Sequence, residues 1–325
     1  IKKLRAKGNA SLVILALLLS MPTFTSAQRV IDQRNAQNIV DPEHADLFSK
    51  LIVQDHNGRM KPVHTLSREV MRKLVRKENL NGLNADQIVL GMFANSMDWI
   101  SVPMISIGKH ESIHKLLNIT GDLASYKDFF DQNGEYRLND EVRNAYNLQP
   151  IDRGIYEKEL MKIDERVNIA NMIYSGSLFR IIPIPGDPNN TWVAAEMSGH
   201  THEHIHSPVA AKFFDAYKSA LTDAMVTNDF SVATKIILEL VSYQESKGAA
   251  VIPSHSKIKA EIVLNEMNLF SRLAVVYTIL GLAFLIFLFY SVFRQNANLN
   301  IIFKILLVLV LGSFALHTIG LGLRW

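Results

Sequence analysis

Long apolar stretches stand near both ends of the chain, and periodic ones fill the middle. Residues 273–293 are 21 consecutive positions without a charge, and 305–323 are 19 positions interrupted only by His317. A membrane-spanning helix needs about 20 predominantly apolar residues, so both stretches predict transmembrane helices. The short polar connection between them predicts a hairpin that dips to the cytoplasm and returns.

The first 27 residues combine a basic start with an apolar run over 12–21 and small residues at 25–27. This order predicts a secretory signal peptide. The 21 uncharged residues that precede Arg29 also reach the length of a membrane span. Residues 1–27 are therefore predicted to be a signal peptide or an N-terminal transmembrane anchor, and either one exports the segment that follows.

The middle of the chain has mostly helical periodicity. Apolar spacings of three and four predict amphipathic helices over 42–51, 65–77, 84–93, 156–174, 213–225 and 232–241. Asn84 is predicted to cap the third of these helices. Strand signal is confined to 179–184 and 102–107, and 53–63 is extended around a tight turn at Asn57 and Gly58. The helical pattern from Lys257 continues without Pro or Gly to Leu273, which predicts one continuous helix entering the membrane.

The predicted fold class is therefore mostly α with minor β. It consists of the N-terminal signal or anchor helix, a helical periplasmic domain over 28–268, and a transmembrane hairpin over 269–325. This organisation predicts a protein of the bacterial inner membrane with a large periplasmic domain. The first residue is Ile and the last is a Trp directly after an apolar run, which predicts a piece of a longer product.

Charge and composition exclude several functions. Four Lys or Arg residues lie in 1–27 and four in 269–325, so 28–268 retains 26 basic and 31 acidic residues, a net charge of −5. A nucleic-acid partner is not expected, because the basic excess lies beside apolar segments rather than in a phosphate-binding footprint. The chain has no Cys, which excludes disulfides, thiolate ligands and Cys nucleophiles.

Two groups of histidines are candidate ligands. His200, His202, His204 and His206 occupy every second position and would share one face of a strand, where they could bind Zn, Cu or Ni; the alternative is a solvated loop. His317 lies within a predicted span, where a titratable side chain is costly. It is either a structural histidine that bonds a neighbouring helix or a contact to a cofactor such as haem.

A third candidate surrounds the Asn57–Gly58 turn. Charged or titratable side chains around this turn could form an acid/base or anion site: Asp55, His56, Arg59 and His64. A turn followed by a helix start explains the same residues without any function. A membrane-anchored hydrolase would rest on Asp55, His56 and His64, but no nucleophile motif accompanies them.

Three stretches carry a resemblance to a known family. The run from 53 to 66, VQDHNGRMKPVHTL, continues through VMRK at 70–73 and looks like the periplasmic segment of cytochrome c biogenesis proteins of the fused CcsBA (ResB and ResC, System II) type. The stretch GDPNNTW at 186–192 resembles a second part of that segment, and LHTIGLGLRW at 316–325 is similar to the start of the CcsA-type membrane core. The family-like residues of the first run are Gln54, Asp55, Gly58, Arg59, Lys61, Pro62 and His64.

The resemblance implies a machine that moves haem across the membrane and attaches it to apocytochrome c. The implied partners are apocytochrome c, haem, the lipid bilayer, and the remaining CcsA/ResC-like core and ResB-like part.

The chain departs from the family in one respect: none of its three tryptophans, Trp99, Trp192 and Trp325, forms the family's tryptophan-rich WWD motif. The full-length family resembles a holocytochrome c synthase, but no catalytic residue carries over. The chain is expected to be a scaffold or docking domain, with the haem site outside it. The alternative is an exported metal-binding module that uses the His200–His206 tract.

Overall fold

The computed structural model describes residues 39–195, 208–293 and 300–323. By their contacts these residues divide at Pro253, so that 39–253 form one unit and 254–323 form another. The described part is mostly helical, as predicted. The signal or anchor segment over 1–27 lies outside the described residues.

Nine helices build the first unit. They are α1 (Pro42–Ser49), α2 (Val63–Leu74), α3 (Ala85–Ala94), α4 (Ser96–Trp99), α5 (Glu111–Leu117), α6 (Asn139–Asn147), α7 (Ile155–Ser175), α8 (Pro208–Thr227) and α9 (Ser231–Lys247), counted over its described residues, with a 3-10 turn at Tyr126–Phe129. Helix α1 begins where Asp41 accepts a hydrogen bond from the backbone of His44 (3.0 Å). Helix α3 begins with a capping box between Asn84 and Gln87, as the predicted Asn84 cap requires.

The strands are short and form antiparallel pairs. The pairs are β1 (Ile52–Gln54) with β2 (Met60–Pro62), β3 (Asn79–Leu80) with β4 (Leu83–Asn84), β5 (Ile105–Ser106) with β6 (Leu123–Ala124), and β7 (Ile182–Pro183) with β8 (Trp192–Val193). The prediction that strand signal is confined to 179–184 and 102–107 was wrong, because it missed β3, β4, β6 and β8. A two-residue strand is too short to show an alternating pattern.

Aromatic side chains fill the centre of this unit. Phe179 meets the edges of both Phe48 and Phe93 at ring-centroid distances of 5.5 Å, and Phe48 stacks on Tyr217 at 5.8 Å. Edge-on and offset contacts of this kind are the favoured geometries of aromatic pairs. The core therefore joins α1, α3 and α8 to the segment before β7.

Helix α9 faces the core with most of the apolar stripe that its spacing predicts. Ile237 and Leu240 are buried as predicted, and Val241 packs against the core. The exceptions are Val232, which is 61% exposed, and Gln244, which is 2% exposed. The hydrophobic pattern could not identify Gln244, because a polar side chain is buried only where partners satisfy it.

The second unit consists of α10 (His255–Met267), α11 (Leu269–Phe293) and α12 (Asn300–Leu323) over its described residues. Helices α11 and α12 are long and apolar enough to cross a membrane. They pack together through Val276, Leu280 and Leu309. The predicted pair of spans is thus present as two apolar helices.

The prediction of one continuous helix entering the first span was wrong. Asn268 has φ 47° and ψ 41°, the left-handed conformation, and it separates α10 from α11. Asn tolerates this conformation better than other residues with a side chain. The sequence pattern does not show the break, because neither Pro nor Gly marks it.

His44 is a buried histidine whose two ring nitrogens are both engaged. Its Nε2 lies 3.0 Å from the hydroxyl of Tyr217, and its Nδ1 lies 3.1 Å from that of Thr234. Burial lowers the pKa of His44 to about 4, although the nearby charge of Asp41 opposes the shift. The ring is therefore neutral in the folded protein near neutral pH.

This burial predicts a specific acid destabilisation. The unfolded chain takes up a proton at His44 near pH 6.5, but the folded chain does so only near pH 4, so stability falls as pH drops between these values. We expect protonation linked to His44 to lower the free energy of unfolding by roughly 2–3 kcal/mol across that pH range. Urea unfolding in neutral detergent at a series of pH values measures it, with His44→Gln as the control that cannot titrate. An identical pH dependence in both proteins would contradict the assignment.

Candidate functional site

The family-like run folds into a hairpin with a closed turn. Strands β1 and β2 pair Gln54 with Met60. In the turn, the backbone amide of Asp55 donates to the carbonyl of Arg59 (2.9 Å), while Asp55 Oδ1 accepts from the amides of Asn57 (2.9 Å) and Arg59 (3.0 Å). Gly58 has φ +80°, which a residue with a side chain rarely adopts. Asp55 and Gly58 thus shape the predicted turn.

Gln54 connects the two stretches that carry the resemblance within the first unit. Its Oε1 accepts a hydrogen bond from the amide of Trp192 (2.8 Å), and its Nε2 donates to the carbonyl of Asn190 (3.0 Å). Gln54 and Trp192 are 138 positions apart in sequence. Arg180 reinforces the joint, because its carbonyl accepts from the amide of Gln54 and its Nε donates to the carbonyl of Trp192, both at 3.0 Å. The 54–62 run and the 186–192 stretch are therefore held together by a buried polar joint.

Lys61 has a buried and paired charge. The residue is 5% exposed, its Nζ lies 2.5 Å from a carboxylate oxygen of Glu69, and Asp55 Oδ2 lies 3.8 Å away on another side. A buried ammonium is tolerated when carboxylates compensate its charge. Lys61 thus ties the hairpin to α2, while Pro62 precedes the first residue of that helix in an extended conformation.

His64 belongs to a second polar joint. Its Nδ1 lies 2.8 Å from Asp86 Oδ2 of α3, and both residues are buried. Neither His64 Nε2 nor Asp86 Oδ1 has a hydrogen-bond partner among residues 39–195, 208–293 and 300–323. Sequence reasoning did not identify Asp86; the only signal was its position in the first turn after the Asn84 cap.

The structure does not bring the proposed acid/base group together. Asp55 supports the turn and Lys61, His56 is exposed at the tip, and His64 is buried against Asp86. Each residue therefore has a different environment. The contacts of Asp55 and His64 are of the kind that the turn-and-helix-start alternative expects.

His317 lies in the second unit, on α12. Its ring centroid is 5.5 Å from that of Phe270 and 6.1 Å from that of Tyr277, both on α11. One turn along α12, a Cβ added to Gly320 would lie 2.8 Å from Leu269, so the two helices approach closely there. His317 thus occupies a helix–helix contact, which fits a structural role and leaves a cofactor contact as a proposal.

The tract His200, His202, His204 and His206 lies outside the described residues. Elsewhere in the part of the chain that the structure describes, no three His, Asp or Glu residues group as metal ligands would.

Comparison with known proteins gives one informative similarity. No protein-family model matches the chain. The chain is 37% identical to Protein NrfI of Wolinella succinogenes over 286 residues, which is 85% of this chain. The chain is similar to one part of that protein. It spans 30% of the length of Protein NrfI.

Proposed function

We propose that this chain is part of a membrane machine for cytochrome c biogenesis of the System II type. In this proposal, residues 28–268 are an exported scaffold or docking domain that supports haem attachment to apocytochrome c. The similarity to Protein NrfI over 85% of the chain carries the proposal and supports a role in cytochrome c biogenesis. The resemblance of the 53–66 and 186–192 stretches to the CcsBA periplasmic segment supports the finer assignment.

The connection between those two stretches is consistent with a docking surface. The side chains of Gln54 and Arg180 join them through hydrogen bonds to backbone groups of Asn190 and Trp192, so the hairpin and the loop before β8 are held in a fixed arrangement. The hairpin tip is exposed at His56 and Asn57. A rigid base with an exposed tip can present a surface to a partner without supplying chemistry, because pre-organisation lowers the cost of binding.

Two of the described histidines, His44 and His64, are poor candidates for holding haem. Both ring nitrogens of His44 are engaged, and the side chain of His64 is buried. His317 is half-buried among aromatic rings and is the one position that we retain as a proposed haem contact. Bound haem would supply the vinyl groups for attachment, and we propose that its main site lies in other parts of the longer machine.

Deletion tests the docking role. In cells that make the longer product, we expect replacement of 39–253 by a short linker to abolish the haem-stained bands of c-type cytochromes. Gln54→Leu, which breaks the joint to Trp192 but leaves the helices, should reduce the same bands. Immunoblots establish that both products reach the membrane. Normal haem-stained cytochromes after the deletion would refute the proposal. A second measurement compares the haem absorbance of the purified longer product with and without His317→Ala. Loss of that absorbance in the variant would assign a haem contact to α12.

A further inference from the structure

The C-terminal end of α2 carries a dense group of cations. Arg72 and Lys73 lie in the last turn of the helix, Arg76 and Lys77 follow it, and all four are exposed. Arg166 of α7 reaches the same place, because its Nε donates to the carbonyl of Lys73 (2.9 Å). Arg166 itself is only 7% exposed, so it adds charge but no exposed surface. The four exposed residues are called the basic surface below.

Nearby carboxylates neutralise only part of this charge. Glu78 bonds Arg72 at 2.8 Å, and Glu165 bonds Lys73. Within residues 39–195, 208–293 and 300–323, the members of the basic surface without an ion-pair partner are Arg76 and Lys77. The basic surface therefore has an excess of two positive charges over these two carboxylates.

The cations also repel one another. Burial lowers the pKa of Arg166, and the neighbouring charge of Arg76 lowers it further, while Glu159 and Glu165 act in the opposite direction. Residues 28–268 carry a net charge of −5, so this positive region contrasts with the rest of the segment. An anionic partner would relieve the repulsion that the fold leaves in place.

We propose that the basic surface binds the phosphate groups of anionic phospholipids. Charge complementarity favours such a partner, since each Lys or Arg near an anionic bilayer is attracted to it. The same chain carries α11 and α12, which could cross a membrane and would keep the first unit close to lipid. A tether of this kind raises the effective concentration of headgroups at the surface. This proposal does not depend on the role in cytochrome c biogenesis.

Energy transfer in lipid nanodiscs tests the proposal on the full chain. The sequence has no Cys, so Asn79→Cys beside the basic surface allows a single donor label, with the acceptor on lipid headgroups. We expect more transfer in discs of phosphatidylcholine with phosphatidylglycerol than in phosphatidylcholine alone, and a decline with added salt. The double variant Arg76→Asn with Lys77→Gln should lower the ratio of lipid-bound to unbound basic surface by roughly an order of magnitude.

The matched control removes the same charge from α9. Lys235→Gln with Lys247→Gln should leave the transfer unchanged, because both lysines are exposed elsewhere on the unit. Asn replaces Arg76 because this position has φ +61° and Asn tolerates it. Equal transfer in both kinds of disc, or equal losses in the two double variants, would overturn the proposal. Binding of soluble polyglutamate that needs Arg76 and Lys77, without a lipid response, would assign the surface to an acidic polypeptide instead.

Discussion

We expect the Gln244→Leu substitution to lower the free energy of unfolding by about 3–5 kcal/mol relative to the parent chain. Gln244 is buried on α9, and its Nε2 donates to the carbonyls of Ile52 (2.9 Å) and Ile181 (2.8 Å). Its Oε1 accepts from the amide of Ile52 (3.1 Å). Leucine has a similar size but leaves all three backbone groups buried without this partner, and each such group costs about 1–3 kcal/mol.

Urea unfolding in neutral detergent, followed by intrinsic fluorescence, measures this loss. Gln132→Leu is the control, because Gln132 is exposed and the same change of chemistry there should shift stability by less than about 0.5 kcal/mol. Equal losses at the two positions would show that Gln244 does not hold the β1 edge. The substitution also bears on the proposed docking role, because Ile52 begins the strand that ends at Gln54.

Asp86→Ala is expected to lower the free energy of unfolding by about 3 kcal/mol, since it removes the carboxylate that is hydrogen-bonded to a buried imidazole. The carboxylate of Asp86 lies 2.8 Å from His64 Nδ1, and the two residues are 7% and 9% exposed. Without the carboxylate, the ring N–H of His64 has no acceptor in the protein interior. The first turns of α2 and α3 would then lose their polar joint.

Asp86→Asn separates this joint from simple packing. The amide keeps an oxygen that can accept from His64 and nearly the same volume, so it should recover more than half of the stability lost in the alanine variant. Chemical denaturation of the three proteins under one condition gives the comparison. If asparagine and alanine were equally destabilising, the charge of Asp86 rather than its acceptor oxygen would hold α2.

Helices were predictable because each depends on a local pattern. The predicted helix over 156–174 appears as Ile155–Ser175, and the predicted Asn84 cap is present with its capping box. The apolar spans were predictable for the same reason, since 18 or more apolar residues are rare in any other context. The local spacing of apolar residues was therefore sufficient to predict a mostly helical fold.

The polar joints could not be predicted from the sequence. Gln54 meets Trp192 across 138 positions and Gln244 meets Ile52 across 192, so no local pattern records either pairing. Asp86, the partner of His64, likewise gave no signal beyond its place in a helix's first turn. The resemblance identified Gln54 and His64 as positions of interest, but only the structure shows that they anchor the hairpin.

The break at Asn268 changes how a tilt of α11 in a membrane would affect α10. A helix longer than the local bilayer thickness adjusts by tilting. Were α10 and α11 one rod, any such tilt would swing the residues before Leu269 like a lever arm. The left-handed residue instead ends α10 before α11 begins, and α10 rests against α12. A tilt of α11 would therefore not pass to α10 through one continuous hydrogen-bonded helix.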